Sequence, residues 1–129
     1  MHEWIGCGPS AASQYAGERY QRPANLDAWL AGMEASAPPR EEVVRLNDST
    51  VLLDAIIFGL RMNRGIDLGA LMERFPGAGD LTPLKLQLEQ FEAQGLLKRS
   101  ASCHTLTQEG RLLADGIGSQ LLEVTEKAV

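Results

Sequence analysis

Residues 82–112 read Thr82-Pro83-Leu84-Lys85-Leu86-Gln87-Leu88-Glu89-Gln90-Phe91-Glu92-Ala93-Gln94-Gly95-Leu96-Leu97-Lys98-Arg99-Ser100-Ala101-Ser102-Cys103-His104-Thr105-Leu106-Thr107-Gln108-Glu109-Gly110-Arg111-Leu112, and this stretch decides the fold. Thr82 reads as a cap, with proline at the first helical position. Leu84, Leu88 and Phe91 then share one face of a helix over residues 83–94, which Gly95 ends. Residues 96–99 and 103–106 are two short strands of a hairpin turned by residues 100–102. Thr107 caps a last helix that carries Leu112, Leu113, Ile117, Leu121 and Leu122.

Working outward, Asp67 caps a helix over residues 68–75 with Leu68, Leu71, Met72 and Phe75 on one stripe. Residues 76–79 are a loop. Before it, residues 49–62 are apolar on nearly every face, which predicts the central buried helix; Asn47 or Asp48 caps it and Gly65 stops it. Residues 26–35 form an earlier helix, with Asn25 as N-cap and Leu26, Trp29, Leu30 and Met33 at helical spacing. Pro38 and Pro39 end it, and residues 41–46 are extended or loop-like. Helix, short turn, helix, hairpin, helix is the order of a winged helix-turn-helix. The expected fold is therefore mainly α within an α+β class: a winged-helix-like helical domain with a small β-hairpin. Ahead of it stand an apolar run over residues 4–7, read as a strand without a partner, and a glycine-rich loop. The expected boundary falls between residues 1–23 and 24–129.

Composition agrees with a packed domain: 129 residues, 44% hydrophobic and 22% charged. The formal net charge of -5 argues against nucleic acid as a partner, since phosphate neutralisation needs clustered Lys and Arg. The helix before the hairpin would be the recognition helix of a DNA reader, yet its polar positions are Lys85, Gln87, Glu89, Gln90, Glu92 and Gln94. One lysine among them, with modest support from Lys98, Arg99 and His104, predicts a packing or protein-contact module. A free-standing regulator is the rival reading. There is no apolar run long enough to span a membrane and no signal-peptide pattern, so the expected location is cytoplasmic.

Only two cysteines, Cys7 and Cys103, are present, nearly a whole chain apart. That spacing suits neither a disulfide framework nor a four-ligand metal site. His104 has no Cys or Asp at metal spacing and reads as a solvated strand residue; His2 is terminal. Arg61 is expected to pair with Asp54 or Asp67. No Ser-His-Asp or paired-carboxylate constellation is legible.

The sharpest local signal is Gly6-Cys7-Gly8-Pro9-Ser10-Ala11-Ala12-Ser13, small residues directly after an apolar run, where a backbone can come close to a ligand. It is followed by Gly17-Glu18-Arg19-Tyr20, Asn25-Leu26, Gly59-Leu60-Arg61, Gly65-Ile66-Asp67-Leu68 and Leu106-Thr107-Gln108-Glu109-Gly110. In this order the segments resemble the carboxy-terminal region of the oxygen-independent coproporphyrinogen oxidase and haem-chaperone family of radical-SAM proteins. The resemblance covers essentially the whole chain. Ala12 departs from both branches, which usually carry histidine or a bulkier apolar residue there, so the branch stays open; Pro9 and the Arg19-Tyr20…Asn25 run look more like the chaperone branch.

The resemblance implies a parent protein with a radical-SAM barrel, S-adenosylmethionine, a [4Fe–4S] cluster and a tetrapyrrole. It assigns Gly6, Gly8, Ser10, Ala11 and Ser13 to a cofactor-binding loop, and Arg19 and Asn25 to substrate contacts. It makes residues 1–23 the end of the barrel and residues 24–129 its cap. Two distant cysteines cannot supply the three thiolates of such a cluster, so this chain alone is not expected to be catalytic. The implied partner is the barrel itself, and the strand at residues 4–7 would leave an edge free to pair with a second copy.

Overall fold

The computed structural model describes residues 3–127. The chain divides into two compact units, Met1–Asn47 and Asp48–Val129.

The first unit is built on a three-stranded antiparallel sheet of order β1-β2-β3, from Ala12–Tyr15, Glu18–Gln21 and Glu41–Arg45. The first two strands form a hairpin turned by Ala16 and Gly17, both at positive φ (53° and 76°). Such a turn follows the twist of the paired strands. On β3, Glu42 takes φ 51° and sits in an extra residue against β2, a β-bulge. Helix α1, Leu26–Glu34, links β2 to β3. Its Gly32 is required by packing, because a Cβ there would strike Pro39 and press on Pro38.

One expectation is corrected here. The segment at residues 4–7 is neither a regular strand nor without a partner. Trp4 donates to the Gln14 carbonyl at 2.9 Å and accepts from the Gln14 amide at 3.0 Å, a single bridge to β1. Pairing stops there because Gly6 N–H turns to the Ser13 hydroxyl at 3.0 Å. The two compact units meet after Asn47, because β3 returns to pair with β2 and draws α1 into the same unit.

The second unit runs α2 Asp48–Leu60, β4 Ile66–Asp67, α3 Leu68–Arg74, α4 Thr82–Ala93, β5 Leu97–Ser100, β6 Cys103–Leu106, α5 Gln108–Leu112 and α6 Ala114–Lys127. Its sheet has the order β4-β6-β5. The core is one apolar cluster centred on Leu52, Ile56, Leu88, Phe91 and Leu121. Each is almost wholly removed from water, worth about 1.5–3 kcal/mol per side chain. The last helix is broken where one was expected: Leu113 leaves helical geometry (φ -108°, ψ 15°) between α5 and α6. Together these observations place the chain in the α+β class with mostly helical content. No helix among the described residues is long and apolar enough to cross a membrane.

Candidate functional site

The glycine-rich segment folds as a looped turn anchored at both ends. Gly6 lies so close to the Ala12 carbonyl that a Cβ would collide with it. Gly8 (φ 105°) and Ser10 (φ 58°) take left-handed backbone, the region glycine tolerates and serine resists. Ser10 N–H donates to the Pro23 carbonyl at 3.0 Å, Arg22 N–H to the Ala11 carbonyl at 3.0 Å, and Ala11 N–H to the Gly8 carbonyl at 3.3 Å. The loop is therefore pinned to the end of the β1–β2 hairpin.

These contacts sort the expected loop residues. Ser13 is 0% exposed and its hydroxyl accepts from Gly6 N–H, so it braces the loop from inside. Gly6 serves the same close packing. Gly8 and Ala11 are half-buried and Ser10 is exposed, so these three carry the outer surface. The segment carries no carboxylate, lysine, arginine or histidine, and its single reactive side chain is the exposed Cys7 thiol. Its outer surface is therefore backbone and small side chains.

The two expected substrate contacts are engaged locally. Arg19 Nε and Nη2 both donate to Gln14 Oε1, at 3.2 and 2.6 Å. Asn25 Oδ1 accepts from Ala28 N–H at 2.9 Å and so caps α1. A cluster that was not foreseen lies beside them. The guanidinium carbons of Arg22 and Arg40 lie 5.1 and 5.0 Å from the ring centroid of buried Tyr20. Arg22 also donates to the Pro38 carbonyl at 2.8 Å, and Arg40 pairs with Glu18 at 3.1 Å. The alternation in Tyr20-Gln21-Arg22 was its sole sequence signal.

In the second unit the shared motifs prove to be contacts with one another. A Cβ on Gly59 would strike Ile66, and one on Gly65 (φ 66°) would strike the His104 carbonyl. Asp67 caps α3 through Ala70 N–H at 3.0 Å and accepts from the Ser102 hydroxyl. That hydroxyl first, and the Ala70 amide next, hold the Asp67 carboxyl below its ordinary value. Thr107 accepts from Gly110 N–H at 3.1 Å and donates to the Gly95 carbonyl at 2.7 Å.

Two further expectations change. Arg61 does pair with a carboxylate, but it is Asp115 of α6, at 2.7 Å. The central helix points this residue at the start of α6, away from its own neighbours in sequence. His104 is buried, 8% exposed, and not solvated. Its place on β6 alternates with Leu106 onto the core face, where Nε2 lies 3.1 Å from Glu92 Oε1. The two atoms are close yet not aligned as a hydrogen bond, and His104 Nδ1 has no hydrogen-bond partner among the described residues. Cys103 donates to the Arg64 carbonyl at 3.1 Å. His2 lies outside the described residues.

Comparison with known proteins adds three findings. Residues 46–113, just over half of the chain, match the HemN C-terminal domain. No curated protein matches. Among solved structures, the coproporphyrinogen III oxidase (HemN) from Escherichia coli, described as a radical SAM enzyme, has the same fold with a TM-score of 0.71 at 18% identity. That likeness covers 92% of this chain and 28% of that one, so this chain spans well under a third of its length. The matched region contains the glycine and cap contacts of residues 59–110, and it agrees with the shared fold: the chain belongs to the HemN C-terminal domain family.

Proposed function

We propose that this chain acts as the C-terminal portion of a HemN-like radical-SAM protein of the cytoplasm, covering a barrel that carries the chemistry. The observation that supports this reading most is that the structural likeness extends over 92% of the chain, well beyond the matched residues 46–113. In this reading Gly8, Ser10 and Ala11 face S-adenosylmethionine. Gly6 and Ser13 hold the loop in shape, and Arg19 and Asn25 act by ordering β1–β2 and α1. The backbone cradle fits such a cofactor, because Gly8 leaves no side chain in the way. When bound, S-adenosylmethionine supplies the radical precursor; this chain only binds and orients it. A [4Fe–4S] cluster does not fit the residues present, since Cys7 and Cys103 are two thiols where such a cluster needs three. Cluster ligation is assigned to the barrel. The parent's ligand in this reading is a tetrapyrrole, either coproporphyrinogen for oxidation or haem for delivery.

The second unit is then a winged helix used for packing. Its order α2-β4-α3-α4-β5-β6 with sheet order β4-β6-β5 supports that assignment. Exposed Glu89 and Gln90 beside Lys85 on α4 favour protein over DNA as its neighbour. Exposed Leu26, Leu30 and Met33 on α1 are the apolar stripe expected of a helix that a partner covers.

The test is S-adenosylmethionine affinity of the parent protein carrying Gly8→Val or Ser10→Glu. The reading predicts a loss of about tenfold or more for each, comparable to one lost close contact. Asn25→Ala should leave that affinity unchanged. Unaltered binding in both loop variants would refute the assignment.

A further inference from the structure

A cleft lies within the second unit, at the edge of its apolar core. It is a cleft of about 160 Å3 between the first turn of α2, the loop ahead of α4 and the end of α6. Half-buried Leu81, Pro83 and Val124 supply apolar wall over the buried Leu52, Leu53 and Leu84, and exposed Asp80 also lines it. An apolar cavity of about 150 Å3 is enough to hold a benzene ring.

The cleft is held open by its own hydrogen bonds. Ser49 Oγ donates to the Ala78 carbonyl at 2.8 Å, and Gly77 N–H donates to Asp48 Oδ2 at 2.9 Å. Gly77 admits no side chain without pressing on Asp48, whose Oδ2 would lie 2.8 Å from a Cβ. The loop is thereby fixed to α2. Asp80 is oriented in turn by accepting from Thr82 N–H at 2.9 Å. The Thr82 side chain, then the Thr82 amide, hold its carboxyl below the ordinary value, so it is ionised at neutral pH. Lys85 is the other charge that acts on it.

The polar complement of the wall has one sign. Both wall hydroxyls already give their protons to backbone carbonyls, Ser49 to Ala78 and Thr125 to Leu121 at 2.8 Å each. They are left as acceptors, beside a carboxylate. An anion would meet repulsion at the mouth, whereas a cationic donor would find partners.

We propose that this cleft binds a small organic ammonium ion: an apolar body of about ring size, seated against Leu81, Pro83 and Val124, with its charged nitrogen at Asp80. The site is independent of the loop in the first unit and of the reading given for it.

The test uses benzylammonium chloride as probe, titrated into the full chain and followed by amide chemical shifts. Saturable shifts are expected at Leu53, Ala78, Leu84 and Thr125, with millimolar affinity, as suits so few atoms. Benzyl alcohol, the neutral isostere, should bind about two- to fivefold more weakly, the range of one exposed ion pair. Asp80→Asn keeps an acceptor for Thr82 N–H and should erase that difference. Val124→Phe should fill the cleft and abolish the shifts; if that variant fails to fold, the Asp80→Asn comparison decides alone. Absence of saturable shifts overturns the proposal, as do shifts centred elsewhere, or benzyl alcohol or benzoate binding as tightly as the ammonium probe.

Discussion

Replacing Gly110 with alanine sets two opposed effects against each other. Gly110 lies inside α5, where alanine gains about 1 kcal/mol of intrinsic helix preference over glycine. Yet a Cβ at this position would fall on the Leu96 carbonyl oxygen and lie 3.2 Å from Leu106 Cδ2. That carbonyl cannot step aside freely, because it accepts from Thr107 N–H at 3.0 Å and from the Thr107 hydroxyl at 3.2 Å. Forcing atoms into packed space costs about 1–3 kcal/mol, and more where the obstacle is backbone. The collision wins, with a net loss of about 2 kcal/mol. For a unit of this size that lowers the melting temperature by about 8–16 °C. Gly116→Ala is the control: it is also helical, but a Cβ there meets nothing within 4 Å, so only the helix preference remains and stability should hold or rise. Thermal unfolding followed by far-UV circular dichroism reads both. A Gly110→Ala variant as stable as the parent, or a Gly116→Ala variant as damaged, would refute the reasoning.

Asn25→Ala removes the side-chain cap of α1 and should cost about 1 kcal/mol in urea unfolding; no change would mean Ala28 N–H finds water at no loss. Asp67 has a folded carboxyl held below 3.8, so its contribution is complete above that value and is lost as pH falls through the lower folded one. The urea midpoint should therefore drop more in the parent than in Asp67→Asn between about pH 5 and about pH 3, and equal drops would contradict the assignment. Arg61 and Asp115 form an exposed pair, so a double-mutant cycle should return a coupling of about 0.2–1 kcal/mol that shrinks in high salt. A coupling well above that range would place the pair in a drier setting.

The helices were legible because period and caps mostly agreed: Asn25, Asp67 and Thr107 cap as their positions imply, whereas the expected cap Thr82 already lies inside α4, whose N-cap is Leu81 with no side-chain cap bond. The hairpin of β5 and β6 was legible as two short runs about a small-residue turn, although β5 begins at Leu97 and takes in Ser100. The β1–β2 hairpin was not, because its turn sets Ala16 at positive φ, and alanine carries no turn signal. Strand β4 is two residues long, too short to show a period. Strand β3 is exposed throughout and interrupted by its bulge, so no alternation survives. The stripe of Leu26, Leu30 and Met33 was visible, but periodicity cannot tell a face buried within the chain from one left exposed. His104 was misjudged for a related reason: a polar residue on a strand looks solvated until its face is known. The glycine loop was legible in the sequence as a segment of close backbone packing and tight turns. The sequence could not divide that segment into the residues that brace it, Gly6 and Ser13, and those that carry its outer surface.

The mass and sequence of the polypeptide that carries these residues in the cell test the link to a barrel most directly. Isolated through an antibody to residues 48–129 and read by intact mass and peptide sequencing, it should weigh well above 14.0 kDa. It should also yield a peptide with three closely spaced cysteines from a radical-SAM barrel. A 14.0 kDa polypeptide with no barrel peptides would contradict the central claim.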